Sequence, residues 1–417
     1  MTDTSNKHGA EIQKSRKLDG VLYDIRGPVL KTANEIEASG QEVIKLNIGN
    51  PAPFGFNAPK HVLDEVASNI QNSQGYSDSK GLISAREAIS DYCSSIGISK
   101  VGIEDIYIGN GVSELVVLAL QGLVNNGDEI LIPSPDFPLW TAATSLCGGT
   151  PVHYLCDEPS GWQPDIKDIE GKVSKYTKAI VLINPNNPTG SVYDKETIET
   201  ILDIARTNNL VVFADEIYDK IIFDDSKYHP AASLADDLLI VTFSGLSKSY
   251  QVAGFRTGWM IVSGNKNHGK DYIEGLDILS SMRLCSNVPT QHAIGVALRG
   301  KQDHKALTTS GGRLYEQRNL AYEMINRIDG ITCMKPMGGL YLFPKLDHQR
   351  FNIVDDEQFV LDLLQEQFVL VVQGSGFNWR TPDHFRMVFL PEPTVIKEAV
   401  GRIENFLSHY QQKPKPV

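Results

Sequence analysis

The chain has 417 residues, 41% hydrophobic and 22% charged, proportions that exclude a disordered or collagen-like polymer and allow two or three packed units. Lys and Arg number 39 against 51 Asp and Glu, a net charge of −12 that argues against non-specific binding to nucleic acid or anionic membranes. A small anionic ligand in a local basic pocket stays compatible with that charge.

The opening residues MTDTSNKHGAEIQKSRK are polar and lack the apolar core of a secretory signal. The longest strongly apolar stretch, Leu115–Val124, is too short to span a bilayer. Cys93, Cys147, Cys156, Cys285 and Cys333 form no C-x-x-C pair, and their odd number makes a poor disulfide framework. A cytoplasmic protein with reduced thiols and no bound metal is expected.

In chain order, Pro28–Ser39 reads as a helix, with Pro at its start and Gly40 just beyond its end. Val43–Ile48 reads as extended, and Lys60–Gln71 and Leu82–Ile96 as helices. Asp105–Ile108 predicts a short strand, followed by the turn Gly109-Asn110-Gly111. In the next segment Val112, Leu115, Val116, Ala119, Leu120 and Leu123 recur at helical spacing. Apolar strands are predicted at Glu129–Ile132, Val152–Leu155, Ala179–Ile183, Leu210–Ala214, Leu239–Phe243 and Gly258–Val262, with helices such as Lys195–Thr207 between several of them. Continuous apolar strands alternating with helices predict an α/β fold: a largely parallel central sheet covered by helices on both faces. Longer helices follow at Tyr272–Met282, Thr290–Leu298 and Arg313–Ile328. Strands at Leu340–Phe343, Leu370–Gln373 and Phe385–Phe389 then mix with helices at Glu357–Gln365 and Thr394–Leu407. This change predicts a smaller α+β unit, with which the N-terminal part packs.

Four segments carry chemistry. IYIGNGVSEL runs strand, glycine turn, helix, so backbone N–H groups at a helix start can meet an anion. It has neither a Walker lysine nor the third glycine of a dinucleotide fingerprint. FSGLSKSYQVAGFRTGW places Lys248 among Ser244, Ser247 and Ser249, with Arg256 in the same loop. Hydroxyls and guanidinium suit a phosphate, and the amine suits an aldehyde. INPNNPTG and FADEIYDK each follow an apolar strand and set Asn187, Asp215 and Tyr218 at strand ends. Ligands of open α/β sheets bind at that carboxyl edge.

INPNNPTG, ADEIYDKI and SGLSKSYQVAGFRTGW resemble, in order and spacing, the signature segments of class I aminotransferases of fold type I, which use pyridoxal 5′-phosphate. The resemblance covers about residues 20 to 410. YDIRGPVL, KLNIGNPAPFGF, PDFPLWTAA, SMRLCSNVPTQHA and QGSGFNW are similar to one subgroup, the bacterial glutamate–pyruvate (alanine) aminotransferases. The resemblance implies a homodimer, and a reaction of L-alanine with 2-oxoglutarate to give pyruvate and L-glutamate by a ping-pong mechanism. It implies a large cofactor-binding domain at 56–305 and a small domain at 306–410. Residues 18–55 would pack with the small domain and cover the site, between disordered tails at 1–17 and 411–417.

The same resemblance assigns roles. Lys248 would bind the cofactor covalently and then move the substrate proton. Asp215 would pair with the pyridinium nitrogen, and Asn187 and Tyr218 with the cofactor 3′-oxygen. Phe137 would stack on the ring. Gly111, Val112, Ser113, Ser247 or Ser244, and Arg256 would hold the phosphate, joined by Tyr76 of the neighbouring subunit. Arg386 would receive the substrate α-carboxylate beside the backbone of Gly49 and the side chain of Asn187. Tyr23 and Arg26 would lie on the covering segment. Arg283 is a candidate for the distal carboxylate of glutamate, a role that the dicarboxylate enzymes give to an arginine of the other subunit, although it stands one residue closer to Ser286-Asn287 than theirs does. An aromatic or broad-specificity aminotransferase and a carbon–sulfur β-lyase are the alternatives on this scaffold. An aminotransferase-like sensor domain of a transcription regulator would need a DNA-binding domain ahead of it.

Overall fold

The computed structural model describes residues 12–18, 21, 27–300 and 304–413. Its strands in chain order begin with β1 (Ile44–Lys45), β2 (Ile106–Asn110), β3 (Glu129–Ser134), β4 (Thr150–Asp157) and β5 (Gln163–Pro164). They continue with β6 (Thr177–Ile183), β7 (Val211–Asp215), β8 (Leu239–Gly245) and β9 (Thr257–Gly264). The eight strands after β1 form one sheet in the order β2-β9-β8-β7-β6-β3-β4-β5. Its centre is parallel, whereas β9 runs antiparallel to both β2 and β8.

Side chains alternate across a strand, so each central strand feeds two cores. Ile180 and Leu182 of β6, with Val212 and Ala214 of β7, point into one. Ala179, Val181, Ile183 and Phe213 point into the other. Both faces are covered, which is why these strands read as unbroken apolar runs. Ile183 pairs with Asp215, and Asp215 with Phe243, so β6, β7 and β8 end level at one edge. The segments after them therefore emerge together.

A third core joins the two ends of the chain. Val29, Ala33, Val43 and Leu46 pack with Phe359, Ile396, Ile403 and Phe406. The remaining strands are β10 (Ile331–Thr332), β11 (Tyr341–Leu342), β12 (Lys345–Leu346), β13 (Val369–Leu370), β14 (Val372–Gln373) and β15 (Phe385–Val388). β1 pairs in parallel with β13, and β15 lies between β11 and β14.

The structure adds helices at Leu139–Leu146 and Ile166–Lys172 that the apolar pattern did not announce. The first is short, and the second is capped by Asp165, whose side chain accepts from Asp168 N. Parts of the two expected tails are described in the structure. Arg16–Leu18 forms a 3-10 turn. In the C-terminal tail, Gln412 is buried: its Oε1 accepts from Val354 N and Asp355 N at 2.7 and 3.0 Å, and its Nε2 donates to Asp355 O at 2.6 Å. An amide that bonds three backbone groups ties residue 412 to the loop at Val354 and Asp355. Among the described residues no helix is long and apolar enough to cross a membrane, and no group of His, Cys, Asp and Glu could hold a metal ion. All five cysteines are free.

Candidate active site

A cavity of about 730 Å³ opens where β6, β7 and β8 end. Gly49, Val112, Ser113, Phe137, Asn187, Asp215, Tyr218, Ser247, Lys248, Arg256 and Arg386 all line it. Residues more than 300 positions apart in the sequence are brought to one wall by the sheet edge and by β15.

Val112 and Ser113, just after the glycine turn, line the cavity, whereas Gly111 itself does not. β2 and β9 pair with Gly109 opposite Gly258 and Asn110 opposite Thr257, which sets Gly111 beside Arg256. Gly111 has φ +82°, and a Cβ there would lie 2.3 Å from Arg256 Nη2. A Cβ on Gly258 would lie 2.6 Å from Val112 N. Only glycine leaves this cradle open. Arg256, itself left-handed at φ +53°, donates Nη1 to Ala253 O at 3.0 Å. The helix Val112–Leu123 starts here, so its first N–H groups and the guanidinium face one volume suited to a phosphate.

Asp215 terminates β7 and is buried. Burial raises its carboxyl to about 6, against the hydrogen bonds from Trp140 Nε1 at 3.0 Å and Ile217 N at 3.4 Å and the charge of Lys248. At neutral pH it is still an anion, and it faces the cavity. Lys248 donates Nζ to Gly49 O at 2.6 Å. Burial lowers the Lys248 amine; Arg386 and Arg256 lower it further, and Tyr341 and Asp215 oppose them. An amine held below its ordinary value is more often neutral and nucleophilic at working pH.

Arg386 is buried in β15. Its Nη1 donates to Asn187 Oδ1 at 2.9 Å and its Nη2 to Asn47 O at 2.5 Å. Its guanidinium carbon lies 4.3 Å from the Tyr341 ring centre and 4.4 Å from that of Phe377. A planar cation so held suits a carboxylate met at two points.

Other candidates lie elsewhere. Arg283 is directed away from the cavity: Nη1 pairs with Glu114, and Nη2 donates to Ile108 O at 2.6 Å and Ser79 O at 3.3 Å. Tyr76 is 80% exposed and does not line this chain's cavity. Ser244 is buried in β8 and does not line it either. Tyr23 and Arg26 lie outside the described residues. Two contributors escape the sequence reading. Trp140 lies within PDFPLW, and its spacing from Asp215 carries no signal. Tyr341 sits in an apolar run, GGLYLF, that reads as core.

The pattern of the family "Aminotransferase class I and II" matches residues 41–403. The chain belongs to this family of aminotransferases. It is 59% identical over 401 residues to the glutamate-pyruvate aminotransferase AlaA of Escherichia coli K12, covering 96% of this chain and 99% of that protein. It is 53% identical over 409 residues to the alanine aminotransferase of Mycobacterium tuberculosis H37Rv, covering 98% and 95%. A solved aminotransferase structure from Escherichia coli superposes with a TM-score of 0.96 at 58% identity, covering 97% of this chain and all of that one.

Proposed function

We propose that this aminotransferase moves the amino group between L-alanine and 2-oxoglutarate, giving pyruvate and L-glutamate, with pyridoxal 5′-phosphate as its cofactor. The observation that carries the reading is the convergence of Lys248, Asp215, Arg256 and Arg386 on one cavity. Similarity over nearly the whole chain to proteins named for alanine and for glutamate–pyruvate transamination supports the substrate pair.

The residues present fit the cofactor. Gly111 and Gly258 leave a cradle that a Cβ would fill, a cation and a helix start border it, and a buried carboxylate stands in the same cavity. Arg256, Ser247 and the backbone at Val112 and Ser113 would hold the phosphate. Phe137 would pack on the ring, and Asn187 and Tyr218 would bind its oxygen. When bound, the cofactor carries the amino group between the two substrates and takes up the electron pair left at the substrate Cα.

The chain's own groups do the rest. Asp215, a buried anion, would pair with the ring nitrogen of the cofactor and favour its protonated form. Arg386 orients each substrate by its α-carboxylate. Lys248, whose amine burial and two arginines hold below its ordinary value, would take the proton from the substrate Cα. Because both substrates use the same three groups, two half-reactions can share one site.

We also infer a cytoplasmic homodimer. Tyr76, Met282 and Leu284 are large exposed apolar side chains, and Arg283 binds Ser79 O between these stretches. A monomer in sedimentation at working concentration would overturn this.

Two measurements test the function. Lys248→Ala should lose transamination together with the visible absorbance of the bound cofactor; near-normal turnover in that variant sinks the assignment. Amino donors should be assayed with 2-oxoglutarate and with pyruvate as acceptors. Preference for tyrosine or phenylalanine over alanine would overturn the substrate pair, and release of ammonia without an acceptor would point to a lyase.

A further inference from the structure

Tyr341 stands where three parts of the site meet. Its hydroxyl and that of Tyr218 are 2.8 Å apart, with the two rings edge to face at 5.9 Å. Its ring lies 4.3 Å from the guanidinium carbon of Arg386. Its hydroxyl also presses against the backbone of Gly49: a Cβ there would lie 2.1 Å from Tyr341 Oη. The carbonyl of that same Gly49 accepts the Lys248 amine. Glycine at position 49 is thus what lets a phenol reach this point.

The surrounding structure fixes the residue. Tyr341 is buried in β11 and pairs with Val388 of β15, the strand that carries Arg386. The segment before it is tied to the asparagine turn, with Met337 N and Gly338 N both donating to Gly190 O, at 2.9 and 2.8 Å. Gly339 N donates to Ile221 O at 3.0 Å, just after Tyr218. Tyr341 therefore cannot shift without moving the neighbours of Asn187 and Tyr218. The charged and titratable groups that act on it are Lys248, Arg386 and Tyr218. Burial pushes its hydroxyl up, but these three outweigh burial and the net direction is down. Either hydroxyl can donate across the 2.8 Å between them; since Tyr218 has one hydrogen and would give it to the cofactor oxygen, Tyr341 is the donor and Tyr218 Oη the acceptor of this bond.

We propose that Tyr341 is a positioning residue with two separable parts: its hydroxyl fixes the direction of the Tyr218 O–H, and its ring fixes the plane of the Arg386 guanidinium. A buried hydroxyl whose oxygen accepts from one fixed donor keeps its own hydrogen in one direction, and losing that donor leaves it to rotate. A guanidinium on an aromatic face loses little freedom when it takes up a carboxylate. This rests on the cofactor reading above, since Tyr218 is the group through which the hydroxyl acts.

The experiment compares Tyr341→Phe, Tyr218→Phe, the double variant and Tyr341→Leu as holoenzymes. The first readout is the pH midpoint of the cofactor's visible absorbance. Tyr341→Phe should shift it in the same direction as Tyr218→Phe, by about half a pH unit. The double variant should show the Tyr218→Phe shift and nothing more. The second readout is the split between KM and kcat. Tyr341→Phe should lower kcat and leave KM for alanine and glutamate within about twofold, whereas Tyr341→Leu should raise both KM values about tenfold. Additive shifts, a shift of opposite sign, or a Tyr341→Phe protein matching wild type would overturn the proposal. A wild-type protein with no cofactor absorbance would overturn the functional reading instead. Tyr341→Phe preserves shape and burial, so the test survives if the leucine variant fails to fold.

Discussion

Trp140 donates its indole N–H to Asp215 Oδ2 across 3.0 Å, and both side chains are buried. The bond links the short helix after Phe137 to the end of β7 and gives a buried carboxylate one fixed donor. Burial, which this bond only partly offsets, makes Asp215 a source of pH dependence in the cofactor-free protein.

Burial raises the Asp215 carboxyl from 3.8 to about 6. A carboxyl raised in the folded state stabilises that state while protonated. The contribution is complete below about pH 4 and is lost as pH rises through about 6. Asp215→Asn removes the ionisation and can keep the Trp140 bond. Its cofactor-free form should gain stability over wild type as pH rises from 4 to 8, reaching about 3 kcal/mol. Thermal melts across that range check this; a variant less stable than wild type at pH 8 contradicts it. Turnover should meanwhile fall about a hundredfold or more.

Arg386→Lys keeps the charge and loses the fork. The ammonium cannot serve Asn187 Oδ1, Asn47 O and a substrate carboxylate as the planar guanidinium does. KM for both amino acids should rise about tenfold or more, with kcat/KM falling further as orientation suffers. Steady-state kinetics with each donor test it; a change for one donor alone would place the common carboxylate elsewhere.

The two glycines of the cradle should separate cofactor binding from folding. A Cβ on Gly111 meets the end of the Arg256 side chain, which can move aside at the cost of the anion site. A Cβ on Gly258 meets backbone at Val112 and Gly111, which cannot. Gly111→Ala should weaken cofactor binding about tenfold with a modest fall in melting temperature, since φ +82° is also strained for alanine. Gly258→Ala should destabilise the fold by about 1–3 kcal/mol. Cofactor titration and melting of both variants decide it.

The fold was legible where one pattern dominated. β6, β7 and β8 are buried on both faces, so their apolar runs need no long-range information to be recognised. The helix Leu139–Leu146 was hidden because its residues serve local packing and the Asp215 bond at once, and neither follows from spacing. Site residues carried by contiguous segments, such as Lys248 and Arg256 or Asp215 and Tyr218, were visible as a group. Tyr341 was not, because its function depends on a tyrosine 123 positions away and on the bare backbone of Gly49. The contact of Arg283 with Glu114 was not legible either, since the two lie 169 positions apart.

The C-terminal tail gives a prediction independent of chemistry. Gln412 closes the loop around Phe351–Asp355 with side-chain and backbone bonds. Gln412→Ala should leave two part-buried backbone N–H groups and a carbonyl without this partner and cost about 1 kcal/mol. Activity per folded molecule should be unchanged, because the loop is remote from the cavity lining. Denaturant unfolding alongside active-site titration checks both halves.

Arg283 provides the sharpest test of how the distal carboxylate of glutamate is met. Its guanidinium pairs with Glu114 and donates to Ile108 O at 2.6 Å, so its charge and both Nη groups are engaged behind the glycine turn. Glu114 in turn accepts from Asn110 N at 2.7 Å, and Asn110 Oδ1 accepts from Asn287 N at 2.9 Å. This chain of contacts holds the end of β2, whose Asn110 O also faces Arg256 Nη2 at 3.5 Å. Arg283→Gln should therefore loosen the phosphate cradle from behind. Cofactor affinity should fall several-fold and stability by about 1–3 kcal/mol, while KM for 2-oxoglutarate relative to pyruvate stays within about twofold. A selective rise in KM for the dicarboxylates, with cofactor affinity intact, would return Arg283 to substrate recognition and overturn this account.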